Sequence, residues 1–465
     1  MGTATRGIVT YGVWLPYHRL ERSDIRAALG QGGATGRRTV AGADEDTTSM
    51  GVEAARRGRW GRPLPDSVYF ATTAPAYTDK TNATTIHAAL AATREGFAVD
   101  MGASVRGASA ALRAAAATRG TAVLSDIRTG RPGSSDEAAG GDGAAAFTFG
   151  SGDEVVAEVL AEASVSAEFL DRWRVPGERH SRVWEERFGA RAYLPLIEEA
   201  ATRALKAADV SAPTRVVVSS PHARAALAAL ARHPAAARAD LLDAEVGFAG
   251  AAHSGLVLAD VLDHASPGDT ILFVIAADGA DATVLRVTDA IARRPSGRTV
   301  RDQLASSRPV SYPDFLTWRG VLQREPPRRP DPDRPAAPPA ARADRWKYAF
   351  EGSRCLACGT VNVPPQRVCV GCSGVDRGEP HPLADRRATV ATFTLDRLAF
   401  SLAPPVVDVV VDFDGGGRYG CQLTDADPAD VAIGDRVEMT FRRMYTADGV
   451  HNYFWKARPA TEGNI

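Results

Sequence analysis

Residues 244–287 read AEVGFAGAAHSGLVLADVLDHASPGDTILFVIAADGADATVLRV. The run passes from a Gly-rich turn into an Ala/Leu helix, then through Ser266-Pro267-Gly268-Asp269 to an apolar strand, and by Asp278-Gly279 into another. Residues 99–126, VDMGASVRGASAALRAAAATRGTAVLSD, and then GDGAAAFTFG at 141–150 repeat that order of elements. The copies start more than 100 residues apart. That period excludes a solenoid and predicts two similar halves packed about a pseudo-twofold. Around them, strand signals at 67–71, 97–101, 121–125, 144–149, 155–160 and 215–219 alternate with helical signals at 108–118, 193–208 and 223–232. Such alternation predicts a layered α/β fold.

The chain has 465 residues, 45% hydrophobic and 24% charged, which excludes global disorder and leaves room for two or three domains. Lys+Arg 55 against Asp+Glu 56 gives a net charge of −1. No bulk field therefore favours nucleic acid or an anionic membrane. Lys80, Lys206, Lys347 and Lys456 are the only lysines, and the arginine excess reads as compositional bias. The start carries no leader pattern. No run of about 18 apolar residues is present, so no membrane span is expected. Five cysteines are too few for a disulfide scaffold, and a cytoplasmic protein is expected.

Residues 324–343, REPPRRPDPDRPAAPPAARA, mark a boundary. Proline fixes φ and removes backbone donors, so an extended, solvated connector is expected there. Beyond it, Cys355-Leu-Ala-Cys358 and Cys369-Val-Gly-Cys372 stand ten residues apart as paired knuckles. Four thiolates so spaced suit a closed, tetrahedral, structural zinc site. Strand signals follow at 389–395, 405–413, 419–423, 436–442 and 452–456, separated by Gly-rich or Asp-Gly turns. They predict a small barrel. Cys421 falls within one strand and reads as a small buried hydrophobe.

The cysteine segment CLACGTVNVPPQRVCVGC, with residues 392–425 and 434–459, resembles the acyl-CoA-associated family that joins a rubredoxin-like zinc ribbon to an OB-fold. In that family the module accompanies a thiolase-fold partner, fused or separate. Four segments of the large domain are similar to hydroxymethylglutaryl-CoA synthases and ketoacyl-synthase-III-like proteins. They are GIVTYGVWLPYHRLERSDI (7–25), FATTAPAYTDKTNATTIHAAL (70–90), MGASVRGASAALRAA (101–115) and residues 268–287. The resemblance implies a pseudo-duplicated, five-layer thiolase-like α/β domain at 1–323, with halves near 1–165 and 166–323. A linker at 324–345, a zinc ribbon at 346–380 and an all-β OB-fold barrel at 381–465 would follow.

Carried over residue by residue, the resemblance leaves the catalytic positions changed. The nucleophilic Cys position is Val105, the acid/base Glu position is Thr73, the His position is Ser219 and the oxyanion-binding Asn position is Phe248. Covalent acyl transfer needs an activated thiolate, which valine cannot supply. Phe248 likewise offers no donor to a developing enolate. Polar groups remain beside these positions. Tyr77 and Asp79 follow the Glu position, and His222 and His253 follow the His and Asn positions. These four are the candidate catalytic residues, since a histidine can act as a base and a Tyr–Asp pair can move a proton. Each has a plainer reading: Tyr77 and Asp79 as turn residues, the histidines as helix-start residues. Ser104 and Arg106, flanking Val105, are candidate substrate-binding residues, with an ion-pair role open for Arg106.

The expectation is therefore a protein acting on acyl-CoA or acyl-carrier-protein thioesters. It would make or break a C–C bond without an acyl-enzyme, in aldol or retro-aldol fashion. A non-catalytic thioester-binding or scaffolding partner of another enzyme is the alternative. A structural zinc and a homodimer are expected, with no nucleic acid and no membrane as partners.

Overall fold

The computed structural model describes residues 5–295, 299–325, 329–330 and 332–461. One ten-stranded sheet, made of two five-stranded halves, runs through the large domain. The first contains β1 (Arg6–Trp14), β2 (Val68–Ala71), β3 (Ala98–Asp100), β4 (Thr121–Ile127) and β5 (Asp142–Ser151). The second contains β6 (Ala157–Ser166), β7 (Arg215–Ser219), β8 (Ala237–Arg238), β9 (Thr270–Ile275) and β10 (Gly279–Val287). Their spatial orders are β3-β2-β4-β5-β1 and β8-β7-β9-β10-β6. Each half has three parallel neighbours followed by two antiparallel steps. The repeated order is the duplication expected from the sequence. The halves meet where Gly7 and Ile8 of β1 pair with Glu158 and Ala157 of β6.

Helices complete the five layers. On the outer face of the first half lies α1 (Thr47–Arg57), and between the halves lies α2 (Gly107–Thr118). The outer face of the second half carries α3 (Glu186–Ala207) and α4 (Ala223–Leu230). The other central helix is α5 (Gly250–Asp263), buried at every residue from Gly250 to Leu262. A helix apolar all round belongs in an interior layer, and α5 sits there.

A proline-rich run does form helix here, against expectation. Residues 326–328 and 331 of the expected linker lie outside the described residues, but Ala337–Arg342 is a short helix with Pro338 and Pro339 in its first turn. Proline is tolerated there because the first-turn N–H groups have no intrahelical partner. Asp344–Ala349 is helical as well.

The zinc ribbon follows, with strand Glu351–Cys355 between Val361–Asn362 and Gly378–Pro382. Then comes a closed barrel of β11 (Ala388–Asp396), β12 (Val406–Phe413), β13 (Arg418–Leu423), β14 (Arg436–Ala447) and β15 (Val450–Pro459). The strand order is β11-β12-β13-β15-β14, an OB-fold, filled by Val390, Val409, Val411, Phe441 and Trp455. Cys421 on β13 is half-buried, and burial pushes its thiol up to about 12.

The barrel packs directly on the large domain. One apolar cluster runs from Trp14, Met50 and Phe70 into Phe441, Tyr453 and Trp455. Beside it, Arg442 is fully buried, with Glu45 Oε1 and Asp425 Oδ2 each 2.6 Å from its guanidinium. Lys456 reaches Asp44 at 2.9 Å, and Tyr453 donates to Asp46, the residue that caps α1. The Arg57, Arg442 and Arg458 guanidinium groups lie 4.5–5.2 Å from the Trp14 ring.

Candidate functional site

The site forms where strands end and central helices begin. Strand β2 runs out at Thr72-Thr73, α2 starts just after Ser104-Val105, and Asp126, one residue from the end of β4, lies beside the first turn of α5. With the loop 172–181, these ends enclose a cleft of about 990 Å³. Thr73, Ser104, Val105, Tyr193 and Asp278 line it. So do six arginines: Arg128, Arg172, Arg174 and Arg179 from the large domain's loops, Arg319, and Arg443 from the barrel. Glu178 and Asp278 are the lining carboxylates.

Behind Thr73 sits Asp126, wholly buried. Thr73 Oγ1 donates to its carboxylate at 2.7 and 2.9 Å, and the backbone N–H groups of Thr73 and Ala251 donate at 3.2 and 2.8 Å. Gly250, at φ +54°, has to be glycine, because a Cβ would lie 2.0 Å from Asp126 Oδ2. Burial raises the Asp126 pKa, opposed by Arg128 and by these hydrogen bonds. Arg128 Nη1 donates to Thr73 Oγ1 at 3.3 Å, and Arg174 donates to the Thr73 carbonyl. Burial and the nearby Arg172 lower the Arg128 pKa.

On the opposite wall, Tyr193 of α3 backs onto a second pair. His222 Nε2 lies 2.7–2.8 Å from both carboxylate oxygens of Asp171, and its ring is 5.3 Å from that of Tyr193. Gly189 leaves room for the pair, since a Cβ would come within 2.4 Å of His222 Nε2. Burial raises the Tyr193 phenol well above its usual range, with the Asp171 carboxylate adding to the shift. This hydroxyl therefore stays protonated; it is hydrogen-bonded to the Asp171 side chain and accepts from the Asp278 backbone N–H at 3.3 Å.

The structure places the sequence candidates unevenly. Ser104 is exposed on the cleft wall. His222 stands behind Tyr193, not on the wall. His253 is buried in α5 with its ring 4.9 Å from Phe248, and Ala249 N donates to its Nδ1 at 3.5 Å. Burial lowers the His253 pKa to about 4. Tyr77 accepts from the His451 backbone N–H at 2.7 Å and faces the His451 ring at 4.7 Å, so it joins the cleft rim to the barrel. Asp79 is exposed on the same loop. Tyr77, Asp79, His222 and His253 are thus not gathered at one point. Arg106 takes the open ion-pair role. It bonds Asp281 at 2.9 and 3.2 Å and the carbonyls of Asp278 and Val165. Asp126, Tyr193 and Asp171 escape the sequence reading. The only sequence signal for Asp126 is an aspartate closing an apolar strand, and Tyr193 lies in a helix read only for its periodicity.

In the ribbon, the four ligand sulfurs of Cys355, Cys358, Cys369 and Cys372 lie within 4.8 Å of one another. The Cys355–Cys372 and Cys358–Cys369 separations are 3.7 and 3.6 Å. A disulfide would bring sulfurs to about 2.05 Å. Zn–S bonds of about 2.3 Å at tetrahedral angles put sulfurs about 3.8 Å apart, so the four cysteines fit a structural zinc.

Fold and cleft together define a thiolase-type protein fused to a zinc-ribbon OB module. Residues 347–377 match the family described as ChsH2, rubredoxin-like zinc ribbon domain. Residues 381–442 match ChsH2, C-terminal OB-fold domain. The hydroxymethylglutaryl-CoA synthase of Thermococcus sibiricus is 30% identical over 339 residues, covering 68% of this chain and 96% of that protein. That of Methanothermobacter thermautotrophicus is 29% identical over 345 residues, covering 68% and 99%. A crystal structure of a hydroxymethylglutaryl-CoA synthase complexed with CoA shares the fold at a TM-score of 0.58 and 16% identity, covering 67% of this chain and 90% of that one. The large domain thus makes this chain a member of the hydroxymethylglutaryl-CoA synthase family.

Proposed function

We propose that this protein acts on acyl thioesters, presented by coenzyme A or by a carrier protein, and makes or breaks a C–C bond without an acyl-enzyme. One observation carries the reading: the cleft lining contains hydroxyls, a phenol and guanidinium groups but no thiol, with Val105 at the nucleophile position. In the cleaving direction a base takes the proton of a β-hydroxyl, and the bond to the α-carbon breaks. Its electron pair passes into the thioester enolate, which a proton then quenches at carbon. Such a reaction needs donors aimed at the enolate oxygen and a base near neutral pH.

Tyr193 supports the donor role, since its phenol stays protonated at the cleft wall. Of the four candidate catalytic residues, His222, oriented by Asp171 behind Tyr193, is the best supported base. Ser104 supplies a second hydroxyl for the thioester. Tyr77, Asp79 and His253 take supporting places: the first two at the rim, the last as a neutral imidazole in α5. A homodimer through the edge strand β3 belongs to the same reading. That strand ends the sheet, and exposed Phe97 precedes it. Among the described residues no helix is long and apolar enough to cross a membrane.

The alternative, a non-catalytic thioester-binding partner, draws on a specific observation: Tyr77, Asp79, His222 and His253 are not among the cleft-lining residues. Turnover decides between them. The purified chain is incubated with β-hydroxyacyl-CoA or with acyl-CoA plus aldehyde. Carbon–carbon cleavage or formation that falls roughly 10²-fold in Tyr193→Phe supports the enzyme. Binding without turnover across both panels favours the partner reading.

A further inference from the structure

Thr73 takes the place where the family resemblance sets a glutamate, and a carboxylate stands directly behind it. Both oxygens of that carboxylate, Asp126, are met by donors. Oδ1 takes the backbone N–H groups of Thr73 and Ile127, each at 3.2 Å, and Oδ2 takes that of Ala251 at 2.8 Å. Backbone N–H groups can only donate, so they hold Asp126 as the anion and leave the Thr73 hydroxyl proton pointed at it. A hydroxyl carries one proton and two lone pairs. The Thr73 proton is committed to Asp126, and one lone pair accepts from Arg128 Nη1 at 3.3 Å. Among the described residues no other group meets the second. Thr73 lines the cleft at 6% exposure, with its carbonyl fixed by Arg174. What this residue offers the cleft is therefore an acceptor. A thioester carbonyl cannot use it; a substrate hydroxyl can.

We infer that Thr73 is a catalytic residue that relays the proton of the substrate's β-hydroxyl to Asp126, the positioning carboxylate behind it. This rests on the acyl-thioester reading and deepens it by naming the group that accepts the first proton. As the β-hydroxyl proton moves to Thr73 Oγ1, the Thr73 proton moves to Asp126. The Cα–Cβ bond breaks, an aldehyde or ketone leaves, and the electron pair of the bond enters the thioester enolate. A proton from the opposite wall, where Tyr193 and His222 stand, closes the enolate at carbon. In the bond-forming direction that wall supplies the base for carbon, and Asp126 returns its proton through Thr73 to the new hydroxyl. Arg128, donating to the same oxygen, stabilises the negative charge that builds on it. Burial, which raises the Asp126 pKa, makes the carboxylate a better proton acceptor.

The full-length, zinc-loaded protein is given 3-hydroxybutyryl-, 3-hydroxyhexanoyl- and 3-hydroxydecanoyl-CoA beside the acyl-CoAs of the same lengths. Calorimetry should find the hydroxylated member of a pair about fivefold tighter, the size of one hydrogen bond. Release of acetyl-CoA from it measures cleavage. Thr73→Val should lower kcat roughly 10²-fold while KM moves less than about tenfold, and Thr73→Ser should restore most of the rate. A packing role predicts the reverse, because valine keeps the shape of threonine better than serine does. Asp126→Asn should cost as much as Thr73→Val, and the double variant no more, since the two groups act as a unit. If the buried asparagine unfolds the protein, as circular dichroism would show, the Thr73 series decides alone. A Thr73→Val rate above about a tenth of the unsubstituted protein's overturns the inference, as does serine as poor as valine. Thioester binding without cleavage overturns it too, and leaves the acyl-thioester reading standing. Failure of every CoA ester to bind sinks that reading itself.

Discussion

Replacing Arg442 by Met should loosen the barrel from the large domain more than any other single change at that interface. The guanidinium has 1% of its side chain exposed and touches two carboxylates at 2.6 Å and a third, Asp44, at 3.6 Å. Its Nε reaches Thr440 Oγ1 at 3.2 Å. Methionine preserves much of the packing volume but leaves Glu45 buried without its cation, while Asp425 keeps Arg458 at 3.2 Å. Removing one partner of a buried ion pair costs about 3–5 kcal/mol, mostly the desolvation of the charge left behind. Burial already pushes Glu45 up, as do Asp425 and Asp44, with Arg442 opposing. Without Arg442 that carboxyl rises further, so protonation relieves the defect, and the loss should shrink from about pH 8 to about pH 5.5. Urea titrations followed by tryptophan fluorescence at both pH values measure this, since Trp14 donates to Glu45 at 2.7 Å. Arg436→Met, which breaks an exposed pair with Asp414, is the control and should move the midpoint little. A loss below about 1 kcal/mol, or one as large at low pH as at high, would refute the reasoning.

Cys369→Ser should release zinc and melt the ribbon while leaving the large domain's circular dichroism largely intact; full zinc retention by metal analysis would count against the ligand set. Intact-mass spectrometry after incubation with acyl-CoA should show no acyl adduct on the large domain, and Val105→Cys alone should not give condensation, because by the family resemblance Thr73 and Phe248 take the base and enolate-donor positions. Light scattering should give twice the 49.1 kDa chain mass, and a monomer would refute pairing through β3. His253 has a folded pKa of about 4, below its ordinary unfolded value of about 6.5. The unfolded chain therefore takes up the proton first as pH falls. The stability this group contributes is present above about pH 6.5 and is lost towards pH 4, about 3 kcal/mol in all. His253→Phe should flatten the acid limb of the denaturation midpoint, and an unchanged slope would show that another group governs it.

The sequence carried the fold further than the site, for physical reasons visible in particular residues. Gly-turn, helix, strand, Asp-Gly, strand is a local pattern, so the duplication and both central helices were legible. Four thiols at fixed spacing specify a metal by chemistry alone. Helix α1 was not foreseen. Residues Thr47–Ala55 are buried throughout, with sheet on one side and barrel on the other, so no amphipathic stripe advertises them. The cleft was half legible. Val105 and Thr73 could be placed because they abut recognisable turns. Asp171 and Arg174 come from a connection whose course depends on tertiary packing, and Tyr193 from a helix whose periodicity does not tell which residue meets the cleft. By sequence Tyr77 is singled out because it follows the Glu position; its contact with His451, 374 residues away on the barrel, is visible only in the fold.

That contact belongs to a wider coupling. Arg442 and Arg443 are neighbours on β14, and successive side chains of a strand point to opposite faces. One face sends Arg442 into the buried carboxylates under the barrel, and the other presents Arg443 to the cleft. The Arg443 backbone N–H is fixed on the Asp44 carbonyl at 2.9 Å, in the run of residues that caps α1. The ion cluster therefore does more than hold two domains together. It sets the register of the hairpin β14–β15 against the cleft, and a one-residue slip would exchange the buried guanidinium for the cleft-facing one. Tyr77 and His451 pin the far end of the same hairpin at the rim. A barrel so fixed behaves as a wall of the large domain's cleft, and Phe350, next to the ribbon's first strand, packs on its Tyr419 and Trp455.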